Sequence, residues 1–207
     1  MHFLYLPRRF TPPYNTDSNH GRKTVMTRKI LLAVCGANKN GNTMKLADAF
    51  MQGALKAGHE VHKVFTGDNL HGCRGCGACQ ISRKGCVIHD VMDEVYPEFA
   101  WCDTLVLASP LFFASVSAQT KALLDRLYAI GKDDQYPKRA MALLMSAGDD
   151  HPETFAHAES FFQIISDIYG GENLGSYFAG GCDGDPGHHK ISEEHLEKCR
   201  QFGAQLL

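Results

Sequence analysis

Apolar positions recur along this chain in two alternating rhythms. Lys29 to Cys35 is a short, nearly continuous apolar run (Ile30, Leu31, Leu32, Ala33, Val34), the pattern of a strand buried on both faces of a parallel sheet. A polar, glycine-containing turn follows. From Thr43 to Lys56, Met44, Leu46, Ala47, Phe50, Met51, Ala54 and Leu55 return at helical spacing, with Gly58 as the stop signal. The same reading predicts further strands at 61–65, 104–108, 140–145 and 173–178. It predicts helices at 91–99, behind Asp90 as N-cap, and at 117–128, 154–169 and 192–206. Residues 67–89 carry no periodicity and are expected to form an irregular functional loop. Five strands alternating with five helices predict an α/β fold: a doubly wound parallel sheet with helices on both faces. Each parallel crossover needs a covering helix and must be right-handed.

Composition narrows the function. At 207 residues and 44% hydrophobic, the chain can close one ordinary core, and no repeat or linker divides residues 28–207. Twenty-one Lys plus Arg against 23 Asp plus Glu give a formal charge of −2, so there is no global basic field for nucleic acid. No apolar run approaches the roughly 20 residues that span a bilayer, so no membrane association is expected. The first 28 residues differ, with five basic residues against Asp17 alone, while the remainder holds 16 basic and 22 acidic. The run Phe3-Leu4-Tyr5-Leu6 is too short for a secretory signal, and Pro7, Pro12 and Pro13 interrupt any amphipathic transit helix. Residues 1–27 are therefore expected to be a disordered leader to a cytoplasmic protein, and Met26-Thr27-Arg28-Lys29 reads as a natural start.

In an open α/β sheet, ligands sit beyond the carboxyl ends of the strands. The first such loop, Gly36-Ala37-Asn38-Lys39-Asn40-Gly41-Asn42-Thr43, opens directly into a helix. Backbone N–H groups, small residues and the side chains of Asn42 and Thr43 make an anion cradle, whose natural occupant is a phosphate. The string is close to GxxxxGK[ST], but Asn42 replaces the lysine, which argues against a nucleoside triphosphatase; Lys39 can supply screening charge to a monophosphate. A plain polar turn capping a helix is the alternative. After the third strand, Ser109-Pro110-Leu111-Phe112-Phe113-Ala114-Ser115 sets two aromatics at a strand end where something flat could rest, unless both simply bury under the next helix. Ser146-Ala147-Gly148-Asp149-Asp150 approaches the same crevice from the fourth strand.

Cysteine placement adds redox chemistry. Of eight cysteines, Cys73, Cys76, Cys79 and Cys86 cluster in a loop rich in small residues. In a reducing compartment such a cluster indicates metal or redox chemistry. The spacing departs from the common ferredoxin run, so a [4Fe–4S] cluster, a zinc ion and an unmetallated thiol loop all remain open. Arg74, Arg83 and Lys84 could steer an acidic electron carrier or a nucleotide phosphate. Cys182, Asp183, Asp185, His188 and His189 match no metal motif and read as a mobile loop, while Cys35, Cys102 and Cys199 read as core residues.

Lys39-Asn40-Gly41-Asn42-Thr43 after an apolar strand, the Cys73 to Cys86 loop with Asp90 and Met92, and Ser109-Pro110-Leu111-Phe112-Phe113 with Ser117-Ala118-Gln119-Thr120-Lys121 together resemble the NADPH-dependent FMN reductases of flavodoxin-like fold, in the iron-sulfur flavoprotein branch. The resemblance implies strand order 2-1-3-4-5, with FMN between the first and third strands. It implies that Ala37, Lys39, Gly41, Asn42 and Thr43 hold the FMN phosphate, and that Pro110, Leu111, Phe112, Phe113 and Ala114 with Ala147, Gly148 and Asp149 frame the isoalloxazine. Gly36-Ala37-Asn38 departs from the family's usual serine and proline, and Phe112-Phe113-Ala114 from its tyrosine and glycine. The expectation is an FMN-dependent oxidoreductase that takes hydride from NAD(P)H and reduces a small acceptor or redox protein, with a [4Fe–4S] cluster on Cys73, Cys76, Cys79 and Cys86 as an accessory. No side chain is assigned as nucleophile, general acid or base, and a homo-oligomer is expected. The rivals are a flavin and iron-sulfur electron carrier served by a ferredoxin-like partner, and a zinc- or thiol-based regulatory module.

Overall fold

The computed structural model describes residues 27–67, 69–131, 136–151, 153–185 and 188–206, so the predicted leader lies outside the described residues but for Thr27. Its parallel strands are β1 (Lys29–Val34), β2 (Glu60–Phe65), β3 (Thr104–Phe112), β5 (Arg139–Ser146) and β6 (Gly170–Ala179), side by side in the order β2-β1-β3-β5-β6. The two-residue β4 (Ser115–Val116) turns back antiparallel on the end of β3. Without that hairpin, the expected five-stranded doubly wound order is the observed one.

Alternation of side chains across each strand sorts the core into two layers. Ile30, Leu32, Val34, Val106, Ala108, Ala142 and Leu144 face α1 (Asn42–Lys56) and α6 (Glu193–Ala204). Leu31, Ala33, Leu105, Leu107, Met141, Leu143 and Met145 face α3 (Met92–Trp101), α4 (Ala118–Arg126) and α5 (Ala156–Tyr169). Burial pushes the thiols of Cys35 and Cys102 up to about 11 and that of Cys199 to about 12, so all three are protonated core residues, as expected.

Three elements differ from expectation. β3 runs on through Ser109 and Pro110 because Pro110 stays in register with Ser146 of β5, and proline is tolerated where the ladder ends. β6 starts three residues early, at Gly170, which also closes α5 in the left-handed conformation (φ 59°), and register shifts against β5 absorb the irregular start. The aperiodic cysteine segment contains a short helix, α2 (Ala78–Ser82), entered and left through the left-handed residues Gly77 and Arg83.

Two glycines let α1 and α6 touch. A Cβ on Gly53 would sit 1.8 Å from the Arg200 carbonyl oxygen, and one on Gly203 would sit 2.3 Å from that of Phe50. Gly53→Ala therefore has to push the helices apart, and a loss of about 1–3 kcal/mol in urea unfolding is expected without change in the denaturant slope.

Candidate functional site

Three loops meet at the carboxyl ends of β1, β3 and β5. α1 begins behind Gly41 with no side chain capping it and no acidic residue in its first turn, so its leading N–H groups face outward with the positive end of the helix dipole. Asn42 and Thr43 are buried there. Thr43 Oγ1 lies 2.9 Å from Ser146 Oγ, which joins the first loop to the exit of β5. Asn42 Nδ2 donates to the Asp183 carbonyl at 2.5 Å, leaving its buried Oδ1 without a partner among the described residues. Asn38 Oδ1 accepts the Asn40 N–H at 2.8 Å and shapes the turn. Ala37 and Gly41 belong to the same turn, Gly41 donating to the Asn38 carbonyl. Lys39 extends to the far side of the loop, its ammonium 5.3 Å from the centre of the Phe65 ring. There it lines a cavity of about 420 Å³ with Asn69, His89, Asp93 and Glu94.

A buried hydroxyl network holds the β3 exit against β1. Ser117 caps α4, its hydroxyl donates to the Cys35 carbonyl at 2.6 Å, and its backbone N–H donates to Ser109 Oγ at 2.9 Å. Beyond Pro110 and Leu111 the chain reverses in a tight hairpin whose corner residues, Phe113 (φ 47°) and Ala114 (φ 63°), are both left-handed, a strained conformation for residues with a Cβ. Phe112 is half-exposed and Phe113 fully exposed, so neither buries under α4. On the other side, the Ala147 carbonyl accepts the Cys182 N–H, and Asp149 accepts from Thr154 Oγ1 at 2.6 Å and from the His151 N–H; Gly148 sits between them.

The four clustered cysteines surround one cavity of about 270 Å³, together with Arg74, Gly75, Gly77, Val87, Ile88 and Tyr128. Gly75 (φ 65°), Gly77 (φ 68°) and Gly85 (φ 89°) take left-handed turns that wrap the chain round it, and the Gly75 N–H points to Cys73 Sγ at 3.4 Å. Among the described residues, no three His, Cys, Asp or Glu side chains converge closely enough to hold a single metal ion.

The pattern reading missed what ties this loop to the sheet. Arg126 and Asp90 have fully buried side chains and form a two-pronged ion pair at 2.7 and 3.1 Å. Arg126 also donates to the carbonyls of His71 and Ile88, both at 2.9 Å, and Asp90 accepts the N–H groups of His71 and Met92. Burial alone would raise the Asp90 carboxyl, but Arg126 and the two N–H groups outweigh it and hold it below the ordinary carboxylate range. An arginine among Leu123, Leu124 and Leu127 was the available signal. The pattern also carries no sign of the contacts made after β6: Asp183 and Lys190 exchange two backbone bonds at 2.9 Å, and His189 contacts both Asn38 and Lys45.

A parallel sheet with an uncapped helix N-terminus and an aromatic hairpin at its switch point defines the flavodoxin-like class of nucleotide-binding α/β proteins. A sequence profile for NADPH-dependent FMN reductases matches residues 28–184. An iron-sulfur flavoprotein of Archaeoglobus fulgidus is 30% identical over 170 residues, 81% of this chain and 74% of that protein. One from Methanocaldococcus jannaschii is 30% identical over 80% of this chain and 89% of its own length. Among solved structures, an NAD(P)H:quinone oxidoreductase from Methanothermobacter marburgensis superposes with a TM-score of 0.66 at 20% identity, over 87% of this chain and 97% of that one. The chain belongs to the NADPH-dependent FMN reductase family, in its iron-sulfur flavoprotein branch, and is an FMN-dependent oxidoreductase by class.

The ion pair carries a pH signature. Because the folded Asp90 carboxyl is depressed, its contribution to stability is complete above the unfolded value of about 4 and is lost as pH falls through the lower folded one. Asp90→Asn should be less stable at neutral pH yet show a flatter acid decline of Tm than the parent. Arg126→Met, which strands the buried carboxylate, should cost about 3–5 kcal/mol.

Proposed function

We propose that this protein binds FMN at the ends of β1, β3 and β5, oxidises a reduced nicotinamide nucleotide, and passes the electrons to a small acceptor or redox protein by way of a [4Fe–4S] cluster in the cysteine loop. The observation that carries the reading is the bare N-terminus of α1, whose outward N–H groups and buried Asn42 and Thr43 make a cradle for one phosphate monoester. Bound FMN supplies hydride acceptance and one-electron release; the protein supplies binding, orientation and electrostatics. Ala37, Gly41, Asn42 and Thr43 hold the phosphate, and Lys39, whose ammonium lies over the Phe65 ring on the far side of the loop, supplies screening charge to it. The orphaned Asn42 Oδ1 fits a hydroxyl of a phosphate ester or its sugar chain, since it can only accept. Pro110, Leu111, Phe112, Phe113 and Ala114 form one wall for the ring, and Ala147, Gly148 and Asp149 the other. The exposed aromatic hairpin offers flat apolar surface on which a nicotinamide can stack.

Cys73, Cys76, Cys79 and Cys86 supply the cluster ligands. Their disposition round a cavity, with left-handed glycines and an N–H on Cys73 Sγ, suits a multi-iron group, whereas zinc draws its sulfurs to about 2.3 Å from one centre. A second reading, an electron carrier that does not react with nicotinamide, draws on the exposure of Cys73 and Cys76 beside Arg74, which opens the loop to a protein partner.

Protein purified without oxygen should show flavin bands, a broad shoulder near roughly 400 nm and about four iron and four sulfide per chain. Rapid bleaching by NADPH or NADH favours the reductase over the carrier. Flavin without iron removes the cluster from the proposal. Asn42→Ala and Thr43→Ala should each weaken FMN binding about tenfold in a fluorescence-quenching titration while leaving thermal unfolding of the apoprotein within a few degrees.

A further inference from the structure

We infer that Asp183, His189 and Lys190, at the two ends of the segment after β6, form a strap over the phosphate loop, and that His189 is a positioning residue that sets how tightly this loop grips a phosphate. The inference rests on the phosphate-site reading above and adds a residue to it. Two backbone bonds between Asp183 and Lys190 close the strap on itself. Cys182 binds it to the exit of β5 through Ala147, and Ile191 anchors its far end in the α1 and α6 core layer. Three side chains of the first loop and helix then rise to meet it. Asn42 Nδ2 reaches the Asp183 carbonyl, Lys45 Nζ the His189 carbonyl at 2.5 Å, and Asn38 Nδ2 lies 2.7 Å from His189 Nε2.

The Asn38 contact has a fixed polarity. Asn38 Oδ1 is committed to the Asn40 N–H, so its Nδ2 is the end that faces the imidazole and donates. His189 Nε2 is therefore the acceptor in this contact. His189 holds the Asn38 amide in the orientation that bends residues 38–41 into their turn. That turn aims the amides ahead of α1, so loss of the imidazole leaves the cradle to order itself only when the anion arrives. Asn42 and Lys45 bind strap carbonyls and keep their bonds in any His189 variant. The contribution of the imidazole can thus be separated from that of the strap.

The consequence is confined to ligands that carry a phosphate. Apoprotein of the full chain is titrated with FMN and with riboflavin, following flavin fluorescence. His189→Ala should raise the FMN Kd about fivefold, the effect of one hydrogen bond, and leave the riboflavin Kd unchanged. His189→Gln, whose Oε1 restores an acceptor, should return the FMN Kd to within about twofold of the parent. Asn38→Ala combined with His189→Ala should bind FMN no more weakly than Asn38→Ala alone. An unchanged FMN Kd in His189→Ala, or equal losses for FMN and riboflavin, overturns the role given to His189. If the parent itself fails to prefer FMN to riboflavin, the phosphate-site reading falls and this inference with it; a parent preference that His189→Ala leaves intact refutes the inference alone.

Discussion

The two-pronged contact between Arg126 and Asp90 is the tie on which the upper half of the molecule depends. Neither side chain reaches solvent, and removing two charges from water is costly unless every polar edge is satisfied. Here most of that satisfaction comes from the cysteine segment and the start of α3, through the carbonyls of His71 and Ile88 and the N–H groups of His71 and Met92, with Arg126 Nε alone of the pair's atoms left without a partner among the described residues. A long stretch with little regular structure is thereby gathered at both ends onto α4, and the turns between carry the four clustered cysteines. The same α4 is capped by Ser117, whose hydroxyl reaches the Cys35 carbonyl at the end of β1. One helix thus fixes both the cysteine cavity and the crevice at the strand ends.

The two sites use the backbone in different ways. At α1 the resource is a set of N–H groups left without partners by helix geometry and presented by small residues, a fixed positive potential. In the cysteine loop it is the left-handed freedom of Gly75, Gly77 and Gly85, which bends a short chain around a volume. The Phe113–Ala114 corner shows the opposite choice. Left-handed geometry is imposed on residues that resist it, and in return two aromatic rings are held out at the mouth of the crevice.

Much of this was legible in the order of residues. Apolar runs at 29–35, 104–108 and 140–145 suit strands covered on both faces, and helical spacing between them points to parallel crossovers. The loop before Thr43 marked a candidate anion cradle by position, and the cysteines a candidate site by density. Local signals failed at Pro110, where proline suggested a strand end but pairing with Ser146 carried the strand on. They were silent on Asp183 and His189, whose partners Asn38, Asn42 and Lys45 lie more than 130 residues away.

The division follows from the range of the forces. Hydrophobic periodicity, helix stops and loop composition are written within a few residues, so the sequence alone determined the sheet, its layers and the neighbourhood of each candidate site. Which polar groups meet across the fold depends on register and on the distances at which strand ends, helix starts and loops come together. The Arg126–Asp90 tie, the Thr43–Ser146 contact and the His189 strap are such meetings. Each joins groups whose partners lie tens of residues or more along the chain, and only tertiary packing could select them, because an isolated hydroxyl, amide or guanidinium in the sequence is equally consistent with a bond to water.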